Sequence, residues 1–123
     1  CEDALRVPTE PRYDVVLADS VFQYFNDAAY GQKVLERMWA KTEKMVVVTE
    51  VHDQEKKDEH MAYRRKCVEN YDEVYAGLDK TFYTREMFLQ FAEEHGGRCE
   101  IVQPDNELYW NNRFVFDCYL YKE

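Results

Sequence analysis

Two short runs of apolar residues predict buried strands. They are Tyr13 to Ala18 (YDVVLA) and Met45 to Thr49 (MVVVT), and polar residues bound each of them. Continuous apolar runs are typical of strands buried on both faces, as in parallel sheets. Between them, a cap at Asn26 or Asp27 predicts a helix that runs to about Thr42. Strand, helix and strand in this order form a βαβ unit, which almost always crosses over right-handed.

A longer periodic stretch follows the second strand. The pattern from Glu55 to about Leu78 predicts a helix with a charged first half and an apolar stripe in its second half, at Val68, Tyr71, Tyr75 and Leu78. This is longer than a crossover between neighbouring strands requires. We therefore interpret residues 54–79 as a helical insertion, or lid, that packs over the carboxyl ends of the strands.

The next segment predicts a further helix with clear boundaries. Thr84 is a good N-terminal cap, and Tyr83 is placed to pack against Phe88. Gly96-Gly97 ends the helix, because the first glycine can adopt the left-handed conformation that closes a helix.

Two strands complete the chain, at Cys99 to Val102 and Arg113 to Tyr121 (RFVFDCYLY), on either side of a polar loop from Gln103 to Asn112. The last run partly alternates, with Asp117 on the side opposite the apolar residues, as in an antiparallel strand with one less buried face. The 123 residues therefore predict a single α/β domain whose sheet ends in a hairpin.

Composition and charge narrow the classes of function. The chain carries 25 acidic and 16 basic residues, a net charge of -9, and its field disfavours general nucleic-acid binding. No apolar run is long enough to cross a bilayer, and no secretory signal is visible. The four cysteines have no zinc-like spacing, and we expect them to be reduced, in a cytoplasmic protein.

The order of these elements resembles a known family. YDVVLADSVFQYF (Tyr13 to Phe25) is similar to the fourth-strand motif of class I S-adenosylmethionine-dependent methyltransferases, and CEDALRVP (Cys1 to Pro8) looks like the segment after their third strand. KTFYTREMF (Lys80 to Phe88) and YWNNRFVFDCYLYK (Tyr109 to Lys122) look like a subgroup that acts on small molecules or sugars. The resemblance implies a partial Rossmann-like sheet, strands four to seven, with the last strand antiparallel.

The resemblance also implies that half of the family's domain lies outside this sequence. Strands one to three, with the glycine-rich loop that approaches the cofactor, have no counterpart here. In the family's strand order the fourth strand lies beside the first, so Val15 to Leu17 would form an apolar edge. We expect the amino-terminal half or a second copy of the chain to cover that edge.

In open α/β sheets, ligands bind outside the carboxyl ends of the parallel strands. The resemblance implies that Asp3 and Ala4 contact the adenine of S-adenosylmethionine, and that Asp19, Ser20 and Val21 line its methionine end. The alternative for Asp3 is an ordinary surface residue near a chain end, and the alternative for Asp19 is a strand-end cap.

Acid and base candidates follow the second strand. Glu50, His52 and Asp53 form the densest cluster at a strand end, and His52 has the intrinsic pKa that suits a general base, with Asp53 beside it. A solvated loop residue or helix cap is the alternative for His52. Glu50 is assigned to the acceptor site. His60 adds no recognised ligand spacing, so we expect no metal site.

Other side chains are predicted to form the far wall of the acceptor site. Tyr24 would face the methyl acceptor, or would instead be buried in the core. Arg64 and Arg113 would suit a carboxylate or phosphate on the acceptor.

Two functions remain open from the sequence. The first is methyl transfer from S-adenosylmethionine to an oxygen or nitrogen of a small-molecule or sugar-like acceptor. The second is a non-catalytic α/β module that uses the open edge to dimerise. Asp3, Asp19 and Glu50 stand where the family keeps site residues, and this favours the enzyme.

Overall fold

The computed structural model of the chain describes residues 3–77, 79–106 and 108–123. Its sheet has four strands in the order β1-β2-β4-β3. The strands are β1 (Tyr13–Asp19), β2 (Thr42–His52), β3 (Arg98–Val102) and β4 (Val115–Tyr121). β1 and β2 are parallel, whereas β4 runs antiparallel to both of its neighbours. The predicted partial sheet with its antiparallel last strand is confirmed.

The helices are α1 (Ala28–Lys41), α2 (Lys57–Cys67), α3 (Tyr71–Val74) and α4 (Arg85–Glu94). Both predicted caps are confirmed, because Asp27 accepts from the backbone N–H of Tyr30 at 2.7 Å and Thr84 from that of Met87 at 3.2 Å. Short 3-10 turns occupy Ala4–Arg6, Phe22–Tyr24, Gln54–Lys56 and Asn112–Phe114.

The single long helix predicted from Glu55 to about Leu78 is wrong. α2 ends at Cys67, and Asn70 has a left-handed backbone with φ of 57° before the short α3 begins. Asparagine tolerates this conformation better than most residues, so it can break a helix at low energetic cost. Of the predicted stripe, Tyr71 is buried and Val68 and Tyr75 are half-buried, whereas Leu78 lies outside the described residues.

The core lies between one face of the sheet and the helices α1 and α4. Its fully buried members come from every layer and include Leu35 of α1, Val46 and Val48 of β2, Phe88 of α4, and Phe116 and Leu120 of β4. Burying each such side chain stabilises the fold by roughly 1.5–3 kcal/mol. The helices therefore cover the sheet from one side and leave the carboxyl ends of β1 and β2 free to carry a site.

The strand β1 lies at one margin of the sheet. Val16 and Ala18 face the core and are half-buried, whereas Val15 and Leu17 point to the opposite face, where they are 47% and 60% exposed. The predicted strand is present, but the described chain buries only one of the two faces that were expected to be buried.

Gly31 gives a test of the packing between α1 and the strand-like segment at Tyr83. A Cβ at Gly31 would stand 2.5 Å from the Tyr83 hydroxyl oxygen, and that hydroxyl donates to the Phe22 carbonyl at 2.8 Å. Helix propensity favours Gly31→Ala by about 1 kcal/mol, but overpacking a buried site costs about 1–3 kcal/mol and disturbs the hydrogen bond. We expect a net loss of about 1–2 kcal/mol in the free energy of unfolding, measured by urea denaturation. Gln32→Ala, at an exposed position of the same helix, should not destabilise the protein, and a more stable Gly31→Ala variant would contradict this packing.

Candidate functional site

Two strained residues mark the carboxyl ends of the parallel strands. Ser20, directly after β1, and Glu50, near the end of β2, have left-handed backbones with φ of 59° and 55°. Such a conformation is costly for a residue with a side chain and is concentrated at functional sites. Because β1 and β2 are adjacent and parallel, the two residues meet, and the Ser20 hydroxyl donates to the Glu50 carboxylate.

A β-bulge holds Glu50 in place. Between the pairs Val48–Cys118 and Val51–Phe116, two residues of β2 oppose only Asp117 of β4. The Asp117 carboxylate accepts from the Glu50 backbone N–H at 3.0 Å and so replaces the backbone acceptor that the bulge removes. Burial raises the pKa of Asp117. The hydrogen bond from the Glu50 backbone N–H lowers this pKa, whereas the nearby charges of Glu50 and Asp19 raise it.

Polar side chains extend this arrangement on both sides of Glu50. The Gln23 amide nitrogen donates to the Ser20 hydroxyl oxygen at 3.4 Å. The Tyr109 hydroxyl faces the Glu50 carboxylate and accepts from the Asn111 amide nitrogen at 3.2 Å. Burial raises the pKa of Tyr109, and the adjacent Glu50 carboxylate adds to that rise. We call these five residues the Glu50 network: Gln23, Ser20, Glu50, Tyr109 and Asn111.

An acidic cavity of about 340 Å³ opens beside the Glu50 network. Asp19, Glu50 and Asp117 contribute carboxylates to its lining, together with Thr49 and Tyr109. The Asp19 carboxylate accepts from the Thr49 hydroxyl across the β1–β2 pair. Glu50, which the sequence assigned to the acceptor site, lies in this acidic cavity.

A second, apolar cavity of about 320 Å³ lies along the other side of β1. It is lined by three of the residues predicted to bind the cofactor: Ala4, Asp19 and Val21. Val16, Phe25 and Met38 supply much of its apolar wall. Leu17 and Asp19 line both cavities, so the two adjoin along the end of β1.

The other two predicted cofactor residues lie just outside this apolar cavity. Asp3 caps the turn Ala4–Arg6 by accepting from the Leu5 N–H at 3.0 Å, and it also accepts from the Tyr30 hydroxyl. The hydrogen bond from Tyr30, followed by that from Leu5, lowers the pKa of Asp3. Ser20 is directed toward Glu50 instead. That Asp3 and Ser20 bind the cofactor stays a prediction.

The predicted catalytic pair lies inside the protein and lines neither cavity. Asp53 is 1% exposed, and its carboxylate accepts from the Arg85 guanidinium at 3.1 Å and from the Glu55 N–H at 3.0 Å. His52 is 2% exposed, with its ring centre 4.8 Å from that of His60. Their catalytic roles stay predictions, and their burial favours structural roles.

His60 is a buried residue whose packing the sequence does not reveal, because it stands in the charged half of α2. Its ring stacks on Phe114 at 4.6 Å, and its Nε2 accepts from the Arg64 guanidinium at 3.0 Å. Burial, followed by the charge of Arg64, lowers the pKa of His60 to about 4. Burial also lowers the pKa of His52 to about 3, with a smaller effect from His60.

Arg64 and Arg113 attach α2 to the segment that precedes β4. The Arg64 guanidinium lies 5.3 Å from the centre of the Trp110 ring, and that of Arg113 lies 5.2 Å from the centre of the Tyr63 ring. Tyr63 in turn stacks on Trp110 at 5.3 Å. These contacts occupy both guanidiniums outside the acidic and apolar cavities, so their predicted role toward an acceptor anion stays untested.

Tyr24 is 65% exposed and therefore does not belong to the core. The Lys80 ammonium lies 4.0 Å from its ring centre. Within the described ranges, no three side chains of His, Cys, Asp or Glu are grouped closely enough to hold a metal ion. Of the helices in those ranges, none has the length and apolar character that a bilayer-spanning segment requires.

The buried histidine pair predicts a pH dependence of stability. Both imidazoles stay neutral in the folded protein down to their pKa values of about 3 and 4, whereas they bind protons below about pH 6.5 when unfolded. Stability is therefore retained above pH 6.5 and falls with pH below it. Between pH 6 and 5, where ordinary carboxyls remain ionised, we expect the free energy of unfolding to drop by about 2 kcal/mol. Urea denaturation at several pH values checks this, and His60→Phe should halve the slope, whereas a flat profile would contradict it.

Comparison with known proteins identifies the fold. No protein-family model and no curated protein matches the sequence. Among solved structures, the chain is similar to magnesium protoporphyrin IX methyltransferase from Synechocystis PCC 6803 with bound SAH, with a TM-score of 0.69 and 6% identity over 99% of this chain and 49% of that one. It is also similar to a possible exported protein from Bordetella parapertussis, with a TM-score of 0.64 and 16% identity over 98% of this chain and 42% of that one.

A third similar structure is the small RNA methyltransferase HEN1, with a TM-score of 0.60 and 13% identity over 99% of this chain and 15% of that one. The chain thus spans about half the length, or less, of these three structures. At such low identity the likeness concerns the fold alone. Together with the strand order and the antiparallel β4, it shows that this chain has a partial class I, Rossmann-like methyltransferase fold.

Proposed function

We propose that this chain is the carboxyl-terminal half of an S-adenosylmethionine-dependent enzyme that transfers a methyl group to an oxygen or nitrogen of a small, sugar-like acceptor. The observation that carries the proposal is the pair of adjoining cavities at the end of β1. The apolar cavity gathers Ala4, Asp19 and Val21, and the acidic cavity holds Glu50. A methyl donor in the first and an acceptor in the second would lie side by side.

The apolar cavity suits part of S-adenosylmethionine, which supplies an electrophilic methyl group on a sulfonium when bound. Its wall of Val16, Val21, Phe25 and Met38 offers the flat adenine ring an apolar surface. The Asp19 carboxylate, where the two cavities adjoin, is placed to attract the positive sulfonium end. Asp3 and Ala4 at the rim are assigned to the adenine edge.

Glu50 is the group we assign to the acceptor's proton. Positioning supplies much of the rate of an in-line displacement, and a base is needed only when the acceptor must lose a proton. Of the predicted acid and base groups, Glu50 lines the acidic cavity, whereas His52 and Asp53 are buried away from it. The hydrogen bonds from Ser20 and from its own N–H to Asp117 orient its carboxylate.

The exposed side of β1 supports an incomplete site in the isolated chain. Val15 and Leu17 are 47% and 60% exposed on a strand whose sequence is suited to a sheet interior. In this proposal the amino-terminal half of the domain adds a strand and helices there and closes the cofactor site. The alternative, a second copy of the chain at the same edge, corresponds to a dimerisation module without catalysis.

Cofactor binding tests the proposal. By isothermal titration we expect the 123-residue chain to bind S-adenosylhomocysteine with a Kd weaker than about 1 mM, since half of the site is absent. Co-expression with the preceding segment of its gene should bring the Kd to the micromolar range. Val21→Asp in the apolar cavity should abolish that binding, and Leu89→Asp at an exposed position of α4 should not. A complemented protein that binds no S-adenosylhomocysteine contradicts the proposed function, whereas micromolar binding by the chain alone contradicts the incomplete site.

The edge of β1 gives a separate test. Val15→Lys should leave the stability of the isolated chain within about 0.5 kcal/mol, because the side chain is already 47% exposed there. It should prevent assembly with the amino-terminal half, because the lysine charge would be buried between β1 and the segment proposed to cover it. Leu89→Lys, at a 44% exposed position of α4, is the matched control. Sedimentation of the chain alone and of the complemented protein measures dimerisation and assembly with the amino-terminal half. If the isolated chain is a dimer and Val15→Lys dissociates it, the dimerisation module is favoured instead.

A further inference from the structure

Two cysteines lie in contact where β3 pairs with β4. Cys99 and Cys118 are free thiols, and their Sγ atoms are 3.7 Å apart, within hydrogen-bonding distance for sulfur. The register of the two strands places Cys99 opposite Leu120, two positions beyond Cys118. The cysteines are therefore diagonal neighbours, and both side chains pack with the core on the same face of the sheet.

The two thiols differ in their exposure to solvent. Cys118 is 0% exposed, whereas Cys99 is half-buried. A charge is more costly in the core than at its edge, so Cys118 keeps its proton and donates it to the Cys99 sulfur. This hydrogen bond lowers the pKa of Cys99, against burial, which raises it. The same hydrogen bond, followed by burial, raises the pKa of Cys118.

This arrangement combines the two features of an oxidisable thiol pair. Cys99 is accessible from the margin of the sheet and is the thiol that ionises first, and the thiolate is the form of cysteine that reacts with oxidants. Cys118 stands next to it as a second thiol that can resolve an oxidised Cys99 sulfur. Core packing alone would require neither the contact between the sulfurs nor the difference in ionisation.

We propose that Cys99 and Cys118 form a redox-responsive pair that hydrogen peroxide oxidises to a disulfide. The Cys99 thiolate attacks one peroxide oxygen and becomes a sulfenic acid, while the other oxygen takes up a proton and leaves as water. The Cys118 sulfur then attacks the Cys99 sulfur, and the sulfenic hydroxyl leaves as water with the Cys118 proton. The two sulfurs lose two electrons, and the peroxide gains them. This inference is independent of the proposed function.

The position of β3 at the margin of the sheet allows the bond to form. The sulfurs must approach from 3.7 Å to about 2.05 Å, which requires rotation of both side chains and a small shift of β3. Within the described ranges β3 pairs with β4 alone, so no second strand opposes that shift. Cys118 directly follows Asp117, the residue that accepts from the Glu50 N–H, so the oxidation takes place beside the support of the Glu50 network.

The experiment treats the folded 123-residue chain with hydrogen peroxide, blocks free thiols with iodoacetamide and digests the protein with trypsin without a reductant. Cleavage after Lys and Arg places Cys1, Cys67, Cys99 and Cys118 in four separate peptides, 1–6, 67–80, 99–113 and 114–122. Mass spectrometry therefore identifies every pairing.

We expect peptides 99–113 and 114–122 to appear joined, with two hydrogens fewer than their sum, and dithiothreitol to separate them. This product should exceed all pairings of the exposed Cys67 at least about tenfold, because the contact gives the two thiols a high effective concentration.

Serine variants separate the two steps of the reaction. Cys118→Ser should stop it at the sulfenic acid, which dimedone traps on peptide 99–113. Cys99→Ser should leave Cys118 as a thiol, because the buried sulfur then has no oxidised partner. Circular dichroism reports whether each variant is folded, and either one suffices. Cys67→Ser is the matched control and should leave the joined peptides unchanged.

The joined peptides must also depend on the fold. In concentrated urea the contact is lost, so we expect pairings to spread over all four cysteines. A native protein that gives the same mixture of pairings as the unfolded one overturns the inference. So does a peroxide dose that oxidises Cys67 but leaves Cys99 and Cys118 reduced, or one that takes Cys99 to its sulfonic acid without any joined peptide.

Discussion

The parallel pairing of β1 with β2 is the constraint on which the rest of this molecule depends. It brings the ends of two strands to one edge, so that Ser20 and Glu50, residues 30 positions apart, share a hydrogen bond. Two left-handed residues there cost about 1–3 kcal/mol each. The hydrogen bonds from Glu50 to Asp117 and from Ser20 to Glu50 offset part of that cost, because a hydrogen bond to a charged group stabilises a protein by about 1.5–3 kcal/mol.

The antiparallel β4 is the second component of the site. Its insertion between β2 and β3 places Asp117 opposite the bulge, and the segment before it carries Tyr109 and Asn111 to the same edge. The strand order that identifies the fold is therefore also what assembles the acidic cavity. If β4 lay at the margin of the sheet, it would bring none of these groups to Glu50.

Helix α2 and the segment before β4 form a separate packed unit around His52 and His60. Both imidazoles are enclosed by aromatic rings, and Arg64 donates to His60 from the next turn of the helix. This unit attaches α2 to the sheet by burial and stacking rather than by forming the acceptor site. A histidine at a strand end can thus hold structure together without taking part in chemistry.

The sequence by itself determined the strands, the caps at Asp27 and Thr84 and the antiparallel last strand, because these follow from local periodicity and capping chemistry. It also placed Glu50 at a strand end. Only the tertiary structure decided that α2 stops at Cys67, that His52 is enclosed, and that Asp117 supports Glu50. The physical reason is that burial and the pairing of distant polar groups depend on contacts between segments far apart in the chain, and no local pattern encodes them.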